Sequence, residues 1–178
     1  MSKLFATLFV ALIASQSSLA NSEGFEPQGQ GSLRWFGLKI YDATLLRAST
    51  SGKETISPEK IFDQSFALEL VYARKLYGQA IAERSLEEMK KQGLGSSAQQ
   101  AQWLTVMKET FPDVAANDRL RGVHLPGVGA RFYFNGQLIK SIDDPEFSKA
   151  FFSIWLSPKT SEPGLRANLL GPTAQSPK

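Results

Sequence analysis

Histidine and cysteine carry much of protein chemistry, and this chain has one of the first, His124, and none of the second. Nucleophile–base triads usually need a histidine, and zinc sites need several His or Cys ligands. Neither chemistry fits. His124 falls in an alternating strand pattern and reads as a half-buried strand residue. Axial ligation of haem is the other use of such a histidine, and no second signal accompanies it. Asp143-Asp144 resembles a carboxylate pair, but acids directly before Pro145 read as a helix cap. Gly127-Val-Gly129 has no helix start at phosphate-loop spacing. Arg119, Arg121, Arg131 and Lys140 lie in strand patterns, with Arg119 and Arg121 on one face. They read as a solvated outer face, with an anion-binding patch as the alternative.

Three residues remain. Arg34 is the lone base in an apolar run, Leu33-Arg34-Trp35-Phe36. A guanidinium brings a permanent charge and five donors, which suits a carboxylate. Tyr41 and Tyr72 place hydroxyls at the ends of apolar strand faces. A few polar groups among aromatic walls are the usual furnishing of a small-molecule site. Arg34, Tyr41 and Tyr72 are therefore the candidate ligand-binding residues. No catalytic residue, metal site or cofactor is assigned, and Trp155 is assigned to core packing.

These residues need elements to position them. Strand patterns are expected at 32–36 and 38–47, then a Ser/Thr/Lys-rich loop over 48–60. Residues 65–73 alternate, with Phe66, Leu68, Leu70 and Tyr72 on one face. A helix is expected over 78–92, with Ile81, Ala82, Leu86 and Met89 as its apolar stripe and Arg84–Glu88 as a pair on the wet side. A second helix starts near residue 96 or 97 and ends at Pro112, with Ala101, Leu104, Met107 and Phe111 on one face. Strands follow at 119–125, 130–134 and 137–142, the last two flanking Asn135-Gly136, a strong hairpin signal. Asp144 and Pro145 open a helix that buries Phe147, Phe151, Ile154 and Trp155, and a short helix spans about 162–170. Strands, paired helices, an antiparallel run and closing helices make an α+β domain rather than an alternating one.

The N-terminus reads as a leader. Lys3 precedes an apolar stretch from Leu4 to Ile13, and Ser18-Leu19-Ala20 is a small-x-small cleavage site. Residues 1–20 are expected to be a signal peptide, 21–30 a flexible N-terminal lead, 31–171 the folded domain and 172–178 a disordered tail. Removing residues 1–20 from the 178 leaves 158, enough for one core without staples. The 20 basic and 17 acidic residues nearly balance, so charge argues little about partners. Export makes a nucleic-acid partner a poor expectation and places the protein in the periplasm, and stable membrane insertion is not expected because no later run reaches the ~18 consecutive apolar residues a span needs.

Several segments together resemble the chalcone isomerase-like family, in particular its exported bacterial branch. They are Gly31-Ser-Leu-Arg34 with Leu38-Lys-Ile-Tyr41-Asp-Ala-Thr-Leu-Leu46, and Leu68-Glu-Leu-Val-Tyr72-Ala-Arg74. Asn117-Asp118-Arg-Leu120, Leu125-Pro-Gly-Val-Gly129 and Asn135-Gly136 follow. The closing part is similar in Ile154-Trp155-Leu156, Gly164-Leu-Arg166 and Leu169-Leu-Gly171. The resemblance implies an open-faced curved antiparallel sheet packed by helices, with a ligand cleft between them. It also implies a choice between isomerases that cyclise chalcones and non-catalytic relatives that bind fatty acids. The plant enzymes place an arginine, a threonine, a tyrosine and an asparagine around the cleft. Arg34, Tyr41, Ile81 and Glu88 stand at or near those positions here. Three of the four catalytic types are missing, so the resemblance implies a binder of a small apolar, fatty-acid-like ligand. An isomerase or lyase acting on a phenolic or enone substrate, and a haem- or protein-binding envelope accessory, are the other readings.

Overall fold

The computed structural model describes residues 24–49 and 58–171. The expected leader, its cleavage site and the tail at 172–178 lie outside the described residues. Six strands are hydrogen-bonded in sequence order: β1 (Phe25–Trp35), β2 (Leu38–Ala48), β3 (Phe66–Tyr72), β4 (Arg119–Leu125), β5 (Gly129–Phe134) and β6 (Gln137–Ile142). Every pairing is antiparallel. Four helices pack on this sheet: α1 (Gly78–Lys91), α2 (Ser97–Thr110), α3 (Pro145–Leu156) and α4 (Pro163–Leu170). The result is the expected α+β arrangement, an open curved sheet covered by helices.

Period-two alternation decides which strand face meets the helices. In β3, Phe66, Leu68, Leu70 and Tyr72 are buried toward the helices, while Glu69 faces outward and pairs with Arg119 and Arg121 of β4 at 2.9 and 2.7 Å. Arg119 and Arg121 are thus ion-paired to a neighbouring strand.

Helix ends follow local chemistry. Ser96 and Gln99 form a capping box at α2. The Asp144 carboxylate accepts from the Phe147 N–H at 2.9 Å and from the Trp103 indole at 3.0 Å, so it ties α3 to α2 as well as capping it. In α2 the buried anchors are Trp103 and Met107, whereas Ala101 is exposed and Leu104 half-buried.

Two departures from expectation lie in β1. The strand begins at Phe25, so residues 25–30, expected as a loose lead, pair with β2 from Phe25↔Ala48 to Gln30↔Thr44. Pro27 is tolerated because β1 is an edge strand. Gly29 is there for space: a Cβ would sit 2.3 Å from the Asn168 and Leu169 carbonyl oxygens of α4. The second departure is Phe36. Expected at the end of a strand, it occupies the turn, with φ of 46° beside Gly37 at 78°.

The core is aromatic. Phe66, Phe132, Phe147 and Phe152 are fully buried, and Phe151 contacts five aromatic neighbours, from Phe132 at 5.1 Å to Phe111 and Phe147 at 5.7 Å between centroids, with Phe152 and Trp155 between. Each buried phenylalanine contributes roughly 1.5–3 kcal/mol over an exposed one.

Candidate functional site

A cavity of about 340 Å³ separates the sheet from α1 and α3. Its sheet wall is Leu33, Ile40, Tyr41, Leu70, Tyr72 and Leu120. Ile81, Arg84 and Glu88 come from α1, Phe151, Ile154 and Trp155 from α3, and Thr160, Ser161 and Glu162 from the link to α4.

A bulge makes the sheet wall. Adjacent strand residues ordinarily point to opposite faces. Here the β1–β2 register slips between Leu33, opposite Tyr41, and Arg34, opposite Lys39, so Ile40 is the extra residue. Ile40 and Tyr41 consequently both border the cavity, and Leu33, Arg34 and Trp35 of β1 border it beside the bulge.

All three candidate residues reach this one cavity. Arg34 is exposed at its mouth. Its Nη1 donates to the Gly37 carbonyl at 3.2 Å, and no carboxylate among the described residues forms an ion pair with it. Tyr41 is buried, and its hydroxyl accepts from the Trp155 indole Nε1 at 2.9 Å. The Tyr72 ring meets Tyr41 edge-on at 5.9 Å. Burial pushes both phenols well above their ordinary range, so both keep their hydrogens at physiological pH. With its oxygen accepting from Trp155, Tyr41 still has an O–H to donate.

Sequence reasoning missed the polar end. Arg84–Glu88, expected on the wet side, borders the cavity. Glu88 is buried and accepts from Arg84 at 2.6 Å, Lys91 at 2.9 Å and Ser161 at 2.5 Å. Burial pushes its carboxyl up, but the hydrogen bonds from Ser161 and Lys91, with the Arg84 charge, more than offset this and hold it below the usual range. Positions 81, 84 and 88 recur at helical spacing on one face. That spacing was the available signal. Trp155, assigned to packing, is buried and also serves as the donor to Tyr41.

His124 lies elsewhere. It is buried, stacks on Phe66 at 4.9 Å, and bonds Ser148 Oγ through Nδ1 at 2.7 Å and the Phe62 carbonyl through Nε2 at 3.0 Å. A carbonyl only accepts, so Nε2 carries the hydrogen and Nδ1 accepts from Ser148. Both nitrogens are engaged by protein, which leaves none for a haem iron. Among the described residues no cluster of three His, Cys, Asp or Glu side chains is placed to hold a metal ion.

A family model described as chalcone isomerase-like matches residues 15–171. The chain belongs to the chalcone isomerase-like family. An uncharacterized protein of Haemophilus influenzae is 29% identical over 167 residues, covering 94% of this chain and 78% of that one. Among solved structures, a fatty-acid binding protein of Arabidopsis thaliana superposes with a TM-score of 0.62, over 85% of this chain and 89% of that chain, at 11% identity. At that identity the likeness is one of fold. The four positions that the chalcone isomerase-like resemblance aligns, Arg34, Tyr41, Ile81 and Glu88, all border the one cavity.

Proposed function

We propose that this chalcone isomerase-like protein is an exported, non-catalytic carrier or sensor that holds a small apolar acid, such as a fatty acid, between sheet and helices. The observation that carries the reading is the pairing of an apolar cavity with a cation at its mouth, Arg34, that forms no ion pair among the described residues. The volume lies in the range of small-molecule sites, about 300–1,000 Å³. An alkyl chain suits the walls of Leu33, Ile40, Leu70 and Ile154, and the carboxylate suits Arg34 and the Tyr41 O–H. The fold neighbour from Arabidopsis is named for binding fatty acids, which supports the same class of ligand. At Ile81 a hydrocarbon stands near the place of an enzyme's tyrosine, so no proton can be moved there. We place the protein in the periplasm after cleavage behind Ala20, on the strength of the leader pattern.

Calorimetric titration of wild type and Arg34→Met with palmitate and the matching alcohol tests the site. Palmitate should bind about ten-fold more weakly to the variant, a modest loss for a charge-assisted contact because the guanidinium is solvent-exposed. The alcohol should bind nearly as before, and folding should hardly change. Equal losses for both ligands, or none for either, would remove Arg34 from the site. Progress curves with a chalcone should show only the uncatalysed rate. A mature product that retains Met1 would sink the proposed export.

A further inference from the structure

The β1–β2 turn is made from an unsuitable residue. Two-residue hairpin turns of this kind need positive φ at both central positions. The β5–β6 turn meets the need with Asn135 at 49° and Gly136 at 87°, the ordinary pair. At the β1–β2 turn the same job falls to Phe36 at 46° and Gly37 at 78°. A bulky aromatic side chain is strongly disfavoured in that region. The fold gains no burial from it: Phe36 is 86% exposed, and its ring partner is Trp35, 5.0 Å away and itself 68% exposed. Leu38 beside them is 55% exposed. Backbone strain that holds apolar rings out in water points to function rather than packing.

The surroundings are basic. Residues 72–79 run alongside the hairpin, since the Ala73 N–H donates to the Ile40 carbonyl at 2.9 Å and Tyr41 pairs with Tyr72. Asp42 pairs with Lys39 at 2.6 Å, which leaves Arg34, Arg74 and Lys75 as the bases here with no ion pair among the described residues, on a chain whose charges otherwise nearly balance. Tyr77, 60% exposed, lies under the Lys75 ammonium at 5.0 Å.

We propose that this end of the molecule is a peripheral docking surface for an anionic phospholipid bilayer. Trp35 and Phe36 enter the headgroup layer, and Arg74 and Lys75 meet lipid phosphates. Aromatic rings beside cations are what the bilayer interface accepts, and each base near an anionic leaflet adds attraction. The occupant follows from shape and charge. A convex tip of two rings is too small for a stable protein interface, which needs about 800 Å² on each partner. A second copy would bring Arg34, Arg74 and Lys75 against their like-charged counterparts. The surface needs nothing from the cavity reading, but Arg34 and Trp35 belong to both. A ligand leaving the cavity there would enter lipid directly.

The protein as purified from its host is sedimented with vesicles of phosphatidylcholine alone and with phosphatidylglycerol added. Binding is expected only to the anionic vesicles, weakening as salt rises. Tryptophan emission should shift to the blue through Trp35, because Trp103 and Trp155 are already buried. Phe36→Asn installs the ordinary turn residue. It should lower vesicle affinity about ten-fold and raise the thermal midpoint. Arg74→Gln with Lys75→Gln should lower affinity by about ten-fold or more. Phe36 lies outside the cavity, so palmitate affinity in Phe36→Asn should stay within about two-fold. Palmitate failing to bind would end the cavity reading while vesicle binding upholds the surface. Three results would overturn it: no binding of wild type to anionic vesicles at low salt, unchanged vesicle affinity in folded Phe36→Asn, or self-association lost in Phe36→Asn without vesicle binding.

Discussion

The Trp155 indole donates to the Tyr41 hydroxyl at 2.9 Å, and this single bond joins α3 to β2 along the cavity wall. Both groups are buried, so water replaces a lost partner poorly. Removing one side leaves the other unsatisfied, which costs about 1–3 kcal/mol. Tyr41→Phe and Trp155→Phe should each lower urea-unfolding stability by that order. Their double variant should lose less than the sum, with a coupling of about 1 kcal/mol. Strict additivity would show that the two groups do not depend on each other.

Glu88→Gln should act on stability and ligand affinity in opposite directions. The carboxylate holds Arg84, Lys91 and Ser161 at one end of the cavity. Its neutral isostere weakens these charge-assisted bonds, with an expected loss of about 1–3 kcal/mol in urea unfolding. The same change removes a negative charge from the cavity, so palmitate should bind several-fold more tightly by calorimetry. Unchanged affinity would place the ligand's carboxylate away from α1.

Stability should fall as pH drops below about 6.5. Burial pushes the His124 imidazole below its ordinary value, outweighing the Phe62 carbonyl that favours the charged form, and the Lys149 charge adds to the downward push. The unfolded chain therefore takes up the proton first, and folding is penalised by up to about 1.4 kcal/mol per pH unit between pH 6.5 and the folded value. His124 is the sole histidine, and carboxylates titrate lower, so the slope between about pH 6.5 and 5 belongs to it. Denaturant midpoints at these two pH values, in wild type and His124→Gln, test this. A slope that persists in the variant would assign it to another group.

Gly29→Ala should be among the more damaging single-methyl additions in the molecule. The new carbon meets two main-chain carbonyl oxygens of α4 at 2.3 Å, and main chain cannot rotate aside as a side chain can. A loss of about 2–4 kcal/mol is expected in thermal or urea unfolding, with faster amide exchange in α4. Gly164→Ala, where a Cβ meets nothing within 4 Å, is the control and should stay near neutral.

The order and type of elements were legible because local chemistry and tertiary need agree there. Asn135-Gly136 forms the expected hairpin, Asp144 and Pro145 open α3, and α1 ends at Lys91 before Gly93. The cavity-facing Arg34, Tyr41 and Tyr72 were also within reach, since each stands out by type against an apolar run. What escaped depends on partners distant in sequence. Gly29 and Pro27 looked like loop composition, yet one makes room for α4 and the other is tolerated at an edge. The bulge at Ile40, which turns consecutive residues toward one cavity, follows from the β1–β2 register and leaves no mark on composition. The Arg84–Glu88 pair read as solvated because helix spacing says which residues share a face and not which face is covered.

The element order sets the order in which the chain can finish folding. Each strand pairs with the one made just before it, so the sheet can grow as a meander from β1 onward. Its first strand, however, is sealed by the last helix: the Gln28 amide donates to the Leu170 carbonyl at 3.0 Å, and Gly31 faces Leu165. Until α4 has emerged, the face of β1 that carries Gly29 and Gly31 stays uncovered. A partly emerged chain would therefore lack its closing clasp until almost the whole domain was available. Such delayed closure makes completion of the domain nearly all-or-none.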